Sequence, residues 1–386
     1  MLFAAMLSLA ACGTSQPSSP AAPASQPATQ SSPTRSAISP APPPPGKPST
    51  GPRITYVRFV TPLDGWALTP SSVLRTTNGG TSWTPVTPPS PQPHAKFGWT
   101  WSGFFLSPEI AWVVETSVTS LKSGALYKTT DGGETWSGVS LPVGGSVSSI
   151  QFLTTEDGAV TVLLGAWAGG CAVAVLRTTD GGSKWTVVAR TQPQTPTLRG
   201  QPGCGDASFA DSTNGWETGA TAGNSVLLFH STDGGKTWLE QPIAIPKGFS
   251  AAEGAATSSA PIFFGSEDGV LPVSFRKQGF DLYRTSDRGT TWSPSTPVHF
   301  VSTAMFPAYS IIDVHHAVVT GGEEIYTTAD GGTSWRTIQP NMSLAHISEI
   351  DFVDPSNGWA LVPAAGSVWN MLLITHDGGA KWKQLN

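Results

Sequence analysis

Two carboxylates on facing strands can hydrolyse a glycosidic bond, so the acids are candidate catalytic residues. The chain has 26 Asp and Glu residues, and the acids that we expect on inner strands or on exposed connections are Asp206, Glu323, Glu324, Glu349 and Asp351. No spacing marks two of them as an acid and a base. The adjacent pair His315-His316 lacks the spacing of a helical metal site. The sequence therefore predicts no catalytic residue, no metal and no other cofactor.

Aromatic and basic residues suit binding better than catalysis. Of 15 Trp residues, eleven belong to two repeated motifs, and four remain: Trp99, Trp101, Trp167 and Trp369. Together with Phe97, these rings could contact sugar rings, peptides or the apolar side chains of another protein, or they could cover the cores of loops. Basic residues in the same parts of the chain are Lys96, Arg190, Arg199, Arg276 and Lys277. We predict a binding role for these aromatic and basic residues, with solvated loop charges as the alternative for each basic residue.

The elements that position these residues follow from a stretch that recurs seven times. Residues 129–136 (TTDGGETW) are its cleanest copy, and the pattern is Ser/Thr, any residue, Asp, any, Gly, any, Thr, Trp. Asp-Gly-Gly favours the positive φ angles of a tight hairpin, and the carboxylate can accept hydrogen bonds from its own turn. The acid or amide positions are Asn78, Asp131, Asp180, Asp233, Asp287, Asp330 and Asp377. The Trp positions, which we predict to be structural, are Trp83, Trp136, Trp185, Trp238, Trp292, Trp335 and Trp382.

A second motif precedes each copy: an aromatic or aliphatic residue is followed six positions later by Gly or Ala, often with Trp next. Phe59 with Gly65-Trp66 and Phe352 with Gly358-Trp359 are the first and last examples. Each repeat then has four strands. The first ends at the Phe, the second begins at the Trp after a turn, and the third and fourth flank the Asp hairpin. The sequence therefore predicts an all-β fold, a seven-bladed β-propeller of four-stranded antiparallel blades.

The order of the strands predicts two different faces. First-to-second turns and third-to-fourth hairpins should share one face, which we call the hairpin face. The other connections should share the opposite face, and the longer second-to-third links there are 113–125, 161–174, 271–281 and 362–370. Binding loops concentrate where a rigid scaffold varies, so we expect the ligand on the opposite face. Arg58 and Asp351 precede equivalent aromatic residues in blades one and seven, and we expect them to pair where the ring closes.

The seven hairpins resemble Asp-box repeats, also called bacterial neuraminidase repeats, over residues 53–386. These repeats occur in sialidases, in large endoglucanases and in non-catalytic propellers such as the photosystem II stability and assembly factors. In size and repeat count the chain is most similar to the last group. The resemblance implies a non-catalytic scaffold that binds a membrane-associated protein. The alternative is a carbohydrate-active propeller, either a lectin-like binder or a sialidase-like glycoside hydrolase.

The N-terminal part of the chain predicts export. Residues 1–11 are apolar, and residues 9–13 (LAACG) resemble a bacterial lipobox, in which Cys12 becomes the lipidated first residue. An apolar N-terminus with a chance cysteine is the alternative. Residues 12–52 are rich in Pro, Ser and Ala and predict a disordered linker. We therefore expect an extracytoplasmic protein, anchored by its lipid to a bacterial membrane, with a signal segment 1–11, a linker 12–52 and a propeller 53–386.

The net charge bears on the class of partner, and the cysteine content bears on disulfide formation. The formal net charge of −5 disfavours a nucleic-acid partner, because phosphates require a basic face. In an exported chain, Cys171 and Cys204 can form a disulfide, with two buried thiols as the alternative. We expect the partner to be a protein or a glycan on the opposite face.

Overall fold

The computed structural model describes residues 51–89, 99–117, 120–167, 170–190, 207–218, 226–250, 256–265, 267–301, 307–344, 346–364 and 370–385. They lie within one compact unit, Pro42–Asn386. Strands β1 to β29 form seven antiparallel sheets, and the described residues contain no helix. The predicted seven-bladed propeller of four-stranded blades is therefore confirmed.

The first four blades follow one another along the chain. Blade 1 contains β1 to β4 (Tyr56–Phe59, Gly65–Leu68, Val73–Thr76 and Thr84–Pro85). Blade 2 contains β5 to β8 (Trp99–Phe105, Ala111–Ser117, Lys122–Thr129 and Ser137–Val139). Blade 3 contains β9 to β12 (Ser146–Phe152, Gly158–Trp167, Gly170–Thr178 and Thr186–Arg190). Blade 4 contains β13 to β16 (Ala207–Phe209, Gly215–Thr218, Leu227–Ser231 and Leu239–Pro242).

The last three blades complete the ring, and the inner strand of blade 5 is split in two. Blade 5 contains β17 to β21 (Ala256–Ser258, Ile262–Phe264, Asp268–Phe275, Gly279–Thr285 and Val298–His299), with β17 and β18 both paired to β19. Blade 6 contains β22 to β25 (Tyr309–Ile311, Ala317–Gly321, Glu324–Thr328 and Arg336–Ile338). Blade 7 contains β26 to β29 (Glu349–Phe352, Gly358–Pro363, Asn370–Thr375 and Lys383–Gln384).

The core is divided into seven apolar clusters, and each cluster lies between two neighbouring blades. One of them joins Val57 and Phe59 of blade 1 to Trp359 and Leu361 of blade 7. Each blade is built from consecutive strands, so the ring closes without strand exchange. Burial of apolar surface between blades, rather than a shared sheet, therefore holds the ring together.

The spacing from Phe to Gly in the second motif has a steric cause. Phe59 lies opposite Gly65 in the β1–β2 pair, and a Cβ on Gly65 would come within 2.5 Å of the Phe59 ring. The Phe rings of blades 3, 4 and 7 cover Gly158, Gly215 and Gly358 equally closely. Gly is needed there because the ring folds back over the strand that follows it.

The hairpins have the predicted internal bonding in every blade. In blade 2, the Thr129 hydroxyl donates to Asp131 Oδ1 (2.7 Å) and accepts from Gly133 N (2.9 Å). The residue directly after the hairpin Asp or Asn, which is Gly132 in blade 2, donates its N–H to a carbonyl of the first-to-second turn. This bond recurs in all seven blades at 2.8–3.0 Å. The two kinds of turn therefore lie side by side on one face, as the strand order predicted.

The opposite face differs from the prediction in one respect. The links 113–125, 161–174 and 271–281 are largely strand, because β6 and β7, β10 and β11, and β19 and β20 extend to short turns. In blade 3, Trp167 still pairs with Gly170. The extra residues therefore lengthen the blades, since pairing satisfies backbone groups that a loop would leave to solvent.

Candidate binding face

The acids of the hairpin face are committed to their own turns. Asp131 Oδ1 accepts from Thr135 N at 2.9 Å, and the same bond recurs in the other hairpins, with Asn78 in blade 1. Hydrogen bonds from the Thr135 hydroxyl and backbone lower the pKa of Asp131 to about 2. Bonds from Ser334 lower the pKa of Asp330 to about 2. These carboxylates are ionised acceptors inside a turn, which is a structural role.

Basic residues just before the hairpins link neighbouring blades. Lys128 lies over the Trp112 ring (5.2 Å) and donates to Thr155 O of the next blade (3.2 Å). Arg284 likewise donates to Asp330 O of the next blade at 3.2 Å. The contacts of these basic residues therefore join neighbouring blades, which is a structural role.

The inner strand of each blade has an open edge toward the axis of the ring, and side chains of the preceding blade cap that edge at three junctions. The Phe209 N–H donates to Gln151 Oε1 (2.7 Å), and Phe352 N donates to Ser310 Oγ (2.9 Å). At the closure junction Phe59 N donates to Asp351 Oδ2 (2.6 Å). Each capping residue directly precedes the repeated aromatic position, so this position couples one blade to the next.

The closure junction between blades 7 and 1 has two such acids. Arg58 Nη1 is 2.9 Å from Asp351 Oδ1, which confirms the expected pair. The Arg58 side chain is 46% exposed, whereas that of Asp351 is 6% exposed. One pleat away, Val57 N donates to Glu349 Oε2 at 3.2 Å. Two carboxylates of β26 thus accept hydrogen bonds from two backbone N–H groups of β1.

Burial governs the titration of this cluster. Burial and the neighbouring charge of Asp351 raise the pKa of Glu349 well above its usual value. Burial also raises the pKa of Asp351, although Arg58 opposes the change. Tyr56, on the same inner strand, has a pKa raised by burial and by Glu349. The junction therefore disfavours a second negative charge.

We expect Glu349→Gln to stabilise the ring at neutral pH. A raised carboxyl pKa means that the folded chain binds more protons than the unfolded chain, so the contribution of Glu349 to stability falls as pH rises through its folded pKa. Gln keeps an acceptor for Val57 N–H without the partly buried charge. Urea unfolding should show a higher midpoint for the variant at about pH 7, with the difference vanishing near pH 4.

The matched control is Glu134→Gln, which changes an exposed glutamate in the blade 2 hairpin. It should leave the urea midpoint at about pH 7 unchanged. An equal effect of both substitutions, or a destabilising effect of Glu349→Gln at neutral pH, would contradict this account of the junction.

The described candidate acids of blade 6 accept hydrogen bonds from neighbouring side chains. Glu323 Oε2 accepts from Ser343 Oγ (2.8 Å), and Glu324 Oε2 accepts from the Tyr326 hydroxyl (2.5 Å). Asp206 lies outside the described residues. Asp313 accepts from the backbone N–H groups of His315 and His316 in a turn. Among the described residues, no group of three His, Cys, Asp or Glu side chains could hold a metal ion.

The opposite face concentrates unusual backbone geometry. Leu121 (φ 47°), Lys277 (φ 60°) and His346 (φ 63°) occupy the left-handed region in connections on this face. Arg288 (φ 59°) is the one described residue other than Gly with such a φ in a hairpin. Left-handed residues other than Gly cost about 1 kcal/mol or more, and such strain clusters at functional sites. The observation favours a functional role for the opposite face.

Two of the predicted aromatic residues, Trp99 and Trp101, lie on β5 at different depths below the opposite face. Trp99 begins β5 at the opposite face and is half-buried. Trp101, one pleat deeper, is 3% exposed and belongs to the cluster with Trp66 between blades 1 and 2. Trp101 thus offers no ring face to a ligand, which corrects its placement among the binding residues. The Trp167 backbone ends β10 on the opposite face.

The described basic residues of the predicted site are exposed. Arg190 ends β12, and Arg276 and Lys277 form the turn between β19 and β20. The structure does not bring Arg190 into contact with the other two. Phe97, Arg199 and Trp369 lie outside the described residues, as do Lys96 and Cys12.

Cys171 takes part in a disulfide bond near the start of β11. Cys204 lies outside the described residues, so its pairing with Cys171 stays a prediction. Cys171 is buried, at 8% exposure.

Sequence reasoning missed the contacts that shape the blade 5 end of this face. Gln278 in the β19–β20 turn exchanges two hydrogen bonds with the backbone of Ser250 (2.8 and 2.9 Å). Phe249 packs on Phe275 and on His299, with ring centroids 4.8 and 4.6 Å apart. These contacts hold the loop with Lys247 beside the turn with Lys277. No local motif marks them, because they join segments that are far apart in sequence.

Comparison with known proteins supports the fold. No family model matches the chain, and no curated protein matches it. Among solved structures, YCF48 from Cyanidioschyzon merolae is similar, with 20% identity, a TM-score of 0.57 and coverage of 85% of this chain and 97% of that chain. YCF48 bound to D1 peptide has 16% identity, a TM-score of 0.55 and coverage of 87% and 98%. The BP39L lectin from Burkholderia pseudomallei has 13% identity, a TM-score of 0.52 and coverage of 86% and 99%.

In the described part of the chain, no helix has the length and apolar character needed to cross a membrane.

Proposed function

We propose that the chain is an extracytoplasmic, lipid-anchored propeller that binds a protein partner through its opposite face. The observation that carries the proposal is the contrast between the faces. Turn atoms of the hairpin face bond to each other in all seven blades, whereas the opposite face has extended blades, left-handed residues and exposed basic side chains. A repeated, internally satisfied face is scaffold, and the variable face is where a partner gains specific contacts.

A solved structure of similar fold supports a peptide or protein ligand. One similar propeller is described as bound to a peptide, so this blade architecture accommodates a peptide ligand. The hairpin bonding agrees with the Asp-box pattern, which enzymes and non-enzymes share, and in size and repeat count the chain is most similar to the non-catalytic assembly factors. On this basis we propose a non-catalytic assembly or scaffold role. Cys12, after the apolar residues 1–11, would hold the propeller to a bacterial membrane, with residues 12–52 as linker and 53–386 as the binding unit.

Within the opposite face, Trp99 is the residue that best fits an anchor for a partner. It begins the inner strand of blade 2, pairs with Ser117 and retains partial exposure. A large ring on a fixed strand loses little conformational freedom on binding, which is why Trp is enriched among the residues that dominate interfaces. Exposed Arg190 would add a charged contact at the rim.

A carbohydrate ligand is the second candidate, because a lectin shares the fold and half-exposed aromatic rings also stack on sugars. Most glycoside hydrolases need an acid pair, whereas a sialidase-like enzyme needs a Tyr nucleophile activated by a Glu. The described candidate acids instead accept hydrogen bonds from neighbouring groups at the closure junction and in blade 6. We therefore propose binding rather than hydrolysis.

Crosslinking in cells tests the proposal. A photo-reactive amino acid at position 99 should capture a membrane-associated protein, whereas the same amino acid at the exposed hairpin residue Thr81 should not. Binding of the captured protein to Trp99→Ala should weaken by about 30-fold, the effect of losing an interface Trp worth about 2 kcal/mol. Specific binding on a glycan array that Trp99→Ala abolishes would favour the lectin. Release of sugar from sialosides or β-glucans would contradict a non-catalytic role.

A further inference from the structure

Charge is sorted between the two faces of the propeller, although the net charge is only −5. The described turns and hairpins of the hairpin face, with the strand ends beside them, contain 16 acids and six Lys or Arg residues. The six bases are Lys184, Lys236, Arg288, Arg336, Lys381 and Lys383. The hairpin face is therefore strongly acidic, since each hairpin except that of blade 1 brings its own Asp.

The opposite face has the reverse balance. Its described connections and the strand ends beside them have six Lys or Arg residues and three acids. The bases are Arg53, Lys122, Arg190, Lys247, Arg276 and Lys277, and the acids are Glu323, Glu324 and Glu349. Glu323 and Glu324 lie in blade 6 and accept hydrogen bonds from neighbouring side chains, and Glu349 accepts one from Val57 N at the closure junction. An overall acidic chain thus presents a basic face, and a local field decides which partner approaches that side.

The bases are densest at the end of blade 5, in what we call the blade 5 rim. It consists of Lys247, Phe249, Arg276, Lys277 and Val301. The Gln278–Ser250 hydrogen bonds and the Phe249–His299 ring contact join its segments. Val301 is 76% exposed and follows Phe300, whose N–H donates to Gln278 O at 3.3 Å. Three exposed cations thus stand beside an exposed apolar side chain.

The chain also enters the propeller from this side. β1 is an inner strand and ends at Phe59 on the hairpin face, so its start lies on the opposite face. Residues before it are fixed there, because Ile54 is buried in the closure cluster and Asn370 Nδ2 donates to Ile54 O. The described chain therefore begins on the basic face.

We propose that the blade 5 rim contacts the anionic headgroups of a phospholipid bilayer. Clustered Lys and Arg residues near a bilayer surface are each worth about a factor of five in affinity for anionic lipids, and an exposed apolar side chain among them can enter the headgroup region. An acidic protein is a second possible source of negative charge. The rim offers exposed side chains on short turns rather than a pocket, and this suits a fluid surface better than a shaped partner.

Vesicle sedimentation tests the proposal without any protein partner and without lipidation. The full chain with Cys12→Ser should sediment with vesicles of about one-third phosphatidylglycerol in phosphatidylcholine at low salt, more than with phosphatidylcholine alone. The double substitution Arg276→Glu with Lys277→Glu should weaken this difference by about tenfold or more. The matched control, Lys184→Glu with Lys236→Glu, makes the same change of net charge on the hairpin face and should have little effect.

The outcomes separate the alternatives. Equal loss in both double variants would show that net charge alone acts, and equal sedimentation with neutral vesicles would assign binding to the apolar N-terminus. Either result overturns the proposal, as does absence of binding to anionic vesicles. Binding of poly-glutamate but not of vesicles, lost in the rim variant alone, would assign the rim to an acidic protein instead. Circular dichroism melting of each variant confirms that it folds. None of these results bears on capture of a partner at Trp99.

Discussion

Trp359→Ala should lower the free energy of unfolding by about 3–5 kcal/mol, although the substitution changes only the junction where the ring closes. Trp359 has no exposed surface and stacks on Phe59 of blade 1 with ring centroids 3.5 Å apart and planes 4° apart. Its indole N–H donates to Gly79 O across the junction at 3.0 Å. Because no strand is shared between blades 7 and 1, these contacts and the junction carboxylates must hold the ring. Denaturant unfolding followed by Trp fluorescence and by circular dichroism measures the loss.

Trp112→Ala is the matched control inside the ring. Trp112 stacks on Phe152 of blade 3 at 3.6 Å and donates to Gly181 O at 2.9 Å, so its surroundings repeat those of Trp359. The two variants should be destabilised equally, within about 1 kcal/mol. Trp359→Phe, which retains a ring but loses the hydrogen bond, should cost less than either. A small loss for Trp359→Ala beside a large loss for Trp112→Ala would show that the closure junction is already frayed.

Gly279→Ala should be the most damaging small substitution on the opposite face. Gly279 has φ 142°, and a Cβ there would stand 1.8 Å from Val298 O, a backbone atom that has no side-chain freedom to move. The outer strand β21 contacts β20 through two residue pairs, Gly279 with His299 and Phe280 with Val298. A clash inside so short a pair should detach β21, with a loss of about 3 kcal/mol or more. The substitution should also weaken vesicle binding, because His299 supports Phe249 in the blade 5 rim.

Gly322→Ala separates steric clash from backbone preference. Gly322 has φ 68° in the corresponding turn of blade 6, and no atom lies within 4 Å of an added Cβ. Its substitution should cost about 1 kcal/mol, the price of a left-handed Ala. Thermal melting of the two variants compares these costs directly. Similar melting of Gly279→Ala and Gly322→Ala would show that β21 tolerates the methyl group and that the close approach at Gly279 is relieved easily.

The fold could be predicted from the sequence because its determinants are local. Each hairpin encodes its own geometry in eight residues, and the Phe-to-Gly spacing encodes a contact between paired strands. A ring of seven blades buries the apolar surface of every repeat against the next one, which favours a seven-bladed propeller for seven copies. The pairing of Arg58 with Asp351 could also be predicted, since ring closure must bring the equivalent positions of the first and last blades together.

The details of the candidate face depend on contacts that no local pattern encodes. Trp99 and Trp101 lie on the same side of one strand, and only their depth distinguishes a half-exposed ring from a core residue. The roles of Gln151 and Ser310 depend on backbone N–H groups of another blade. The sorting of charge depends on which connections share a face. It can be read from the sequence once the strand order is known, because the hairpins themselves contain most of the acids.

Hydrogen–deuterium exchange of the chain with its crosslinked partner tests most directly the claim that binding belongs to the opposite face. The partner should protect the backbone amides at the starts of β5 and β7, which lie on that face. Exchange in the hairpins 77–83, 130–136 and 376–382 should stay unchanged. Protection of these hairpins, with the opposite face unaffected, would contradict the account and place the partner on the repeated side of the ring.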